Sequence, residues 1–186
     1  MAQWLDVEEA NLRAVTDVLE YWNRHDVNGV LDFYDEGIIW TNVALEEKYC
    51  GKTEVGAFIE KLIIAFPDLN FSVSERIAHE NNVAEKWEIR GTHLGPFLNI
   101  PATGRPIVIA GMSMVVMRDG KFYRDNFYFD STGVLRQMGL MPSIGATQTL
   151  PGRAILWAAV NRVPVATFAG IGAAALLLLR RASSRS

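Results

Sequence analysis

Several residue types on which particular functions depend are scarce in this chain. It holds one cysteine, Cys50. A lone cysteine forms no intramolecular disulfide and supplies no Cys-rich metal site, so Cys50 is expected to be a small buried apolar residue. The three histidines, His25, His79 and His93, lie far apart without metal-ligand spacing, so no metal is expected. The formal net charge is −3 and no broad basic surface is visible, which argues against nucleic acid as a partner. The chain has no phosphate loop, dinucleotide fingerprint or nucleophile elbow, and no cofactor is expected. The opening Met-Ala-Gln-Trp-Leu-Asp has neither a basic nor an apolar signal region, so no secretory signal is expected. No internal repeat or low-complexity tract interrupts the first 141 residues.

What is present is apolar and patterned. With 186 residues, 49% of them hydrophobic, the chain can build one ordinary domain and something extra. Asp119-Gly120 between two β-rich runs is a strong hairpin signal. The second run, 122–130, alternates aromatics with Arg124, Asp125, Asn126 and Asp130, which suits a pocket wall.

Upstream, Asp6 and Glu9 resemble a capping box, and Leu12, Val15, Leu19 and Trp22 recur at helical spacing. This predicts a helix over 7–23. Asp26 can cap a short second helix that Gly37 ends, and 38–43 reads as a strand with Ile38, Trp40 and Asn42 on one face. Thr53 is the expected N-cap of a third helix bearing Val55, Phe58, Ile59, Leu62, Ile63 and Phe66, stopped by Pro67. Two strands follow. Residues 69–79 place Phe71, Val73 and Ile77 on one face, and residues 83–93 do the same with Val83, Trp87, Ile89 and His93. The Gly- and Pro-bearing stretch 94–105 is a loop. Helices first and antiparallel strands afterwards argue an α+β fold with helices on one face of a curved sheet.

The run Trp87-Glu88-Ile89-Arg90-Gly91-Thr92-His93-Leu94-Gly95, the loop Ile100-Pro101-Ala102-Thr103-Gly104-Arg105, the turn Asp119-Gly120-Lys121 and the end Asp130…Leu135-Arg136-Gln137-Met138-Gly139-Leu140 carry a resemblance. Together with Phe66-Pro67-Asp68-Leu69 they resemble the SnoaL-like polyketide cyclase (ester cyclase) family, over roughly residues 10–141. The resemblance implies the cone-shaped α+β fold of the nuclear-transport-factor-like and ketosteroid isomerase superfamily, with about three N-terminal helices on the concave face of an antiparallel-rich sheet. It also implies a cofactor-free site, a hydrophobic small-molecule partner and a homodimer formed through the sheet.

The family's general acid/base is an aspartate in the cone, which the resemblance puts at Asp130. A carboxylate in an apolar pocket holds its proton more tightly, because burial disfavours the charge. Trp40, Phe97, Phe127, Tyr128 and Phe129 could form that wall. Asp130 also suits an N-cap for a helix starting near Thr132, and the two roles are compatible. Asp125 shares strand parity with Phe127 and Phe129, Asn126 with Tyr128 and Asp130, so one set faces the pocket. The family pattern favours Asn126 and Asp130, although the family often carries tryptophan where Asn126 stands. His93 could bind a substrate carbonyl or Asp130, or instead tie down its loop. Asn42 could bind a substrate oxygen or form a turn. The expected site is thus Asp130 and His93 for catalysis, with Trp40, Asn42, Phe97, Asn126 and Tyr128 for ligand binding.

Beyond Met141 the composition changes. Residues 142–153 read as a linker, and 154–186 as a C-terminal hydrophobic helix with a basic end. Residues 165–179 are uncharged, Ala166, Gly170 and Ala174 form a small-residue line, and no polar face is present. The expectation is a membrane anchor for a domain facing the cytoplasm. The uncharged run alone is shorter than the ~20 residues a span needs.

Overall fold

A computed structural model describes residues 2–141 and 145. The elements are α1 (Ala2–Asn23), α2 (Val27–Asp32), β1 (Tyr34–Asn42), β2 (Glu47–Cys50), α3 (Gly51–Ala65), β3 (Asn70–His79), β4 (Asn82–Thr92), β5 (Pro106–Arg118), β6 (Lys121–Phe129) and α4 (Ser131–Gln137). One sheet runs in the order β2-β1-β6-β5-β4-β3. All neighbours are antiparallel except β1 and β6. The expected α+β architecture is therefore present. The segments read as linker and anchor lie outside the described residues, Gly145 aside. Among the described residues, no helix is long and apolar enough to cross a membrane.

The helices bury the faces that their periodicity marks. From α1, Val15, Val18 and Trp22 enter the core. This helix already runs at Asp6, so Asp6 and Glu9 do not cap it. The Asn23 side chain at its end binds both backbone groups of Phe71, accepting from the N–H at 2.6 Å and donating to the carbonyl at 2.9 Å. Asp26 caps α2 through Gly29 N–H, as its position predicts, and α2 already ends at Asp32. Helix α3 starts ahead of the expected Thr53. Its N-cap is Cys50, which is exposed rather than buried. Glu54 reaches back to accept the Cys50 N–H at 2.7 Å. The short strand β2 before it has no clear signal in the sequence.

The hairpin forms as expected. Asp119 (φ 51°) and Gly120 (φ 74°) make a two-residue turn with both central residues left-handed, matching the twist of the strands they join. One departure matters for the site. The β3–β4 register slips between Val73 and Glu75, a bulge that inverts the alternation beyond it. Phe71 and Val73 keep the expected inner face. Ile77 turns outward and is 73% exposed, while Arg76 turns inward.

Candidate functional site

Strand β6 settles which set of alternating residues faces inward. Phe122, Asp125 and Phe127 are buried and line the cavity between sheet and helices, and Phe129 joins them. Asn126, Tyr128 and Asp130 belong to the opposite face, and Tyr128 is 52% exposed. The expectation taken from the family pattern is thereby corrected. A pleated strand sends alternate side chains to opposite sides, so the aromatics of Phe127 and Phe129 carry Asp125 inward and leave Asp130 outside. Asp130 caps α4, its Oδ1 accepting Gly133 N–H at 2.7 Å, with Arg136 at 3.7 Å from its Oδ2.

Asp125 is 6% exposed. Parallel pairing of β1 with β6 sets Trp40 opposite it. The Trp40 indole Nε1–H donates to Asp125 Oδ2 at 2.6 Å, and Oδ1 has no partner among the described residues. Burial pushes the Asp125 carboxyl up to about 7. The Trp40 hydrogen bond and the nearby Ser113 hydroxyl oppose that rise, and the charge of Glu85 adds to it.

Glu85 and Arg76 are the polar groups that sequence reasoning missed. Glu85 alternates with Val83, Trp87 and Ile89 and lines the same cavity, so its parity was a usable signal. Arg76 gave none, because only the bulge turns it inward. Its Nε donates to Glu85 Oε1 at 2.6 Å and its Nη2 to Val15 O at 3.1 Å. Burial raises the Glu85 carboxyl, and Arg76 draws it back down. Tyr34, almost fully enclosed, has its hydroxyl raised well above the usual range by burial and by the charges of Asp125 and Glu85. Trp87 donates to Ser113 Oγ at 3.0 Å and lies over Gly111, where a Cβ would meet its ring at 2.4 Å.

The remaining expected residues divide. Trp40 and Phe97 line the cavity. His93 is fully buried beside Phe66 and Phe97, outside the cavity lining. Its Nδ1 meets Thr103 Oγ1 at 3.1 Å, which ties down the loop, and burial lowers its proton affinity. Asn42 is buried, with Nδ2 3.4 Å from Glu47 Oε2 and Oδ1 without a partner among the described residues. Among the described residues, no group of three or more His, Cys, Asp or Glu could hold a metal.

The cavity has an open volume of about 70 Å³, lined almost wholly by aliphatic and aromatic side chains. One carboxylate oxygen of Asp125 is held by Trp40, and the other is buried without a hydrogen-bond partner among the described residues. Such a group can give or take a proton near neutral pH without a metal or cofactor.

No curated protein sequence matches this chain. Solved structures share its fold. A protein from Jannaschia sp. assigned to the SnoaL-like polyketide cyclases is 19% identical, with a TM-score of 0.67 over 73% of this chain and 96% of that one. AclR from Streptomyces galilaeus is 21% identical, with a TM-score of 0.66 over 74% and 89%. A protein of ketosteroid isomerase-like fold from Catenulispora acidiphila, in complex with trimethylamine, is 14% identical, with a TM-score of 0.60 over 69% and 93%. The family model for SnoaL-like polyketide cyclase matches residues 12–138, which takes in every cavity residue described above, and the chain belongs to that family.

Proposed function

We propose that the cavity binds a hydrophobic, carbonyl-bearing small molecule and that Asp125 is its general acid/base. The reaction class is cofactor-free cyclisation, isomerisation or dehydration. The observation that carries this reading is the Asp125 carboxyl, held by Trp40 on one oxygen, with the other buried near Ser113 and lacking a hydrogen-bond partner among the described residues, inside an aromatic cage. Asp125 takes the role that the family resemblance gave to Asp130. Phe97 and Trp40 contact the ligand, and His93 supports the loop that carries Phe97. Exchange of the α-hydrogens of 2-octanone in heavy water, followed by proton NMR, tests the role. Wild-type protein accelerates it, and Asp125→Asn loses about 10²–10⁴-fold, the usual share of a general acid/base. Equal rates in the two proteins would overturn the assignment.

A second reading is a non-catalytic ligand-binding or dimeric scaffold, favoured by the narrowness of the cavity and by Met112, Met114 and Tyr128 exposed on the outer sheet face. A homodimer through that face fits either reading. Tyr128→Glu then yields monomer in sedimentation, and an unchanged sedimentation coefficient counts against it. The uncharged run 165–179 supports a membrane tether that keeps the domain in the cytoplasm, near lipid-soluble ligands. Recovery of the intact chain in the soluble fraction of lysed cells would remove that part.

A further inference from the structure

Outside the inner cavity lies a second, larger recess of about 550 Å³, open to solvent. Phe58, Leu62 and Phe97 line both spaces and so form the partition between them. The two spaces differ in chemistry. The inner one is apolar around Asp125, whereas the outer one carries Glu47, Tyr49, Lys61 and Asn99.

The partition is built to stay in place. Phe58 packs on Tyr49 (centroids 4.9 Å apart), edge-on to Trp40 (5.3 Å) and near Phe127 (6.5 Å). Leu62 lies in the last turn of α3 and is 5% exposed. Phe97 packs edge-on to Phe66 at 5.2 Å. The loop bearing Phe97 is fixed at three points. Leu94 and Gly95 N–H both donate to Ala65 O, at 2.9 and 3.1 Å. Gly95 sits so close to α3 that a Cβ would meet Ile64 O at 2.3 Å. Phe97 and Ile100 exchange two backbone hydrogen bonds across the left-handed pair Leu98 and Asn99, and His93 holds Thr103 beyond them. Close-packed aromatic walls of this kind do not yield freely to a wider guest.

We propose that Phe58, Leu62 and Phe97 are a size filter, and that the ligand is elongated. Its slender, unbranched apolar end, bearing the reacting carbonyl, passes the filter to Asp125. Its bulkier, polar end stays in the outer recess beside Glu47 and Lys61. A fused ring at the reacting carbonyl meets the partition and is rejected by steric clash, which a pocket can enforce more sharply than it can favour a missing methylene. The proposal rests on the reading of the inner cavity as a ligand site, and it concerns which molecules reach Asp125 rather than what Asp125 does.

The test compares two ketones of equal carbon count, straight-chain 2-decanone and fused bicyclic 2-decalone, on the full chain. The Trp40 indole N–H cross-peak in ¹⁵N-labelled protein reports arrival at Asp125. Wild-type protein is expected to bind 2-decanone about tenfold or more tightly than 2-decalone, in the range that shape exclusion gives. Phe97→Ala brings the two affinities together, and Leu62→Ala serves the same purpose if that protein does not fold. Equal affinities in wild type, an unchanged ratio in the folded variants, or no response to either ketone would overturn the filter. Selectivity in a protein whose α-hydrogen exchange ignores Asp125 leaves the filter standing and removes the catalytic reading. Exchange that needs Asp125 but treats chain and ring alike does the reverse.

Discussion

Asp125 and Asp130 lie on one strand and its immediate end, and they meet opposite physics. Asp125 follows the parity of Phe127 into the aromatic cage, where burial lifts its carboxyl to about 7. Asp130 follows the parity of Tyr128 to the outside, where its side chain is 59% exposed and occupied by the N-terminus of α4. Both are aspartates near the end of the last long strand, and only the side of the pleat distinguishes them. Residue type and approximate position therefore do not decide which carboxylate enters the cavity, whereas the register of the strand against Trp40 does.

The sharpest way to break this comparison is to exchange the roles. Asp125→Asn should remove about 10²–10⁴ of α-hydrogen exchange, and Asp130→Asn should leave the rate close to wild type. A loss in Asp130→Asn as deep as in Asp125→Asn would return catalysis to the outer carboxylate.

The second test uses stability against pH. The folded-state value of Asp125 lies above the ordinary carboxylate value, so the folded protein binds the proton more tightly than the unfolded chain does. Its contribution is fully favourable below about pH 4 and is lost as pH rises through about 7, on the order of 4 kcal/mol in all. Asp35 and Asp68 shift downward, through Arg118 and Thr92 respectively, and act in the opposite sense at low pH. The measurement is therefore the difference between urea titrations of wild type and Asp125→Asn across pH 4 to 8. A constant difference would show that Asp125 is not held near neutrality.

A third test separates the two buried carboxylates. Glu85→Gln removes a negative charge from the cavity wall and should lower the pH at which the Trp40 indole resonance titrates. Arg76→Met leaves Glu85 buried without its cation and should cost about 3–5 kcal/mol in denaturant unfolding, the usual penalty of a broken buried pair. The smallest effect belongs to the outer carboxylate. Asp130→Ala loses a helix cap worth about 1 kcal/mol, read as a fall in unfolding midpoint with no change in exchange rate.

Much of the fold was legible because periodicity in α1 and α3, the Asp26 cap and the Asp119-Gly120 turn all state local physics. The inner face of β1, with Ile38, Trp40 and Asn42, was legible for the same reason. The candidate site was half legible. Its aromatic wall follows from composition, and the parity of Asp125 with Phe127 was readable, but the family pattern pulled the choice toward Asp130. Glu85 was readable from alternation in β4. The inward turn of Arg76 was not, because a bulge depends on pairing with a neighbouring strand and leaves no mark in the residues themselves.

That bulge has a consequence beyond the cavity. Strand β3 ends the sheet, and an unpaired edge can recruit another chain's strand. The slipped register after Val73 denies an incoming strand a continuous ladder, and Asn23 already holds both backbone groups of Phe71. The device that turns Arg76 toward Glu85 thus also keeps the margin of the sheet from growing. Removing Ser74, the unpaired residue of the bulge, would restore plain alternation with Arg76 still inward and Ile77 still outward, and would leave the edge open to aggregation.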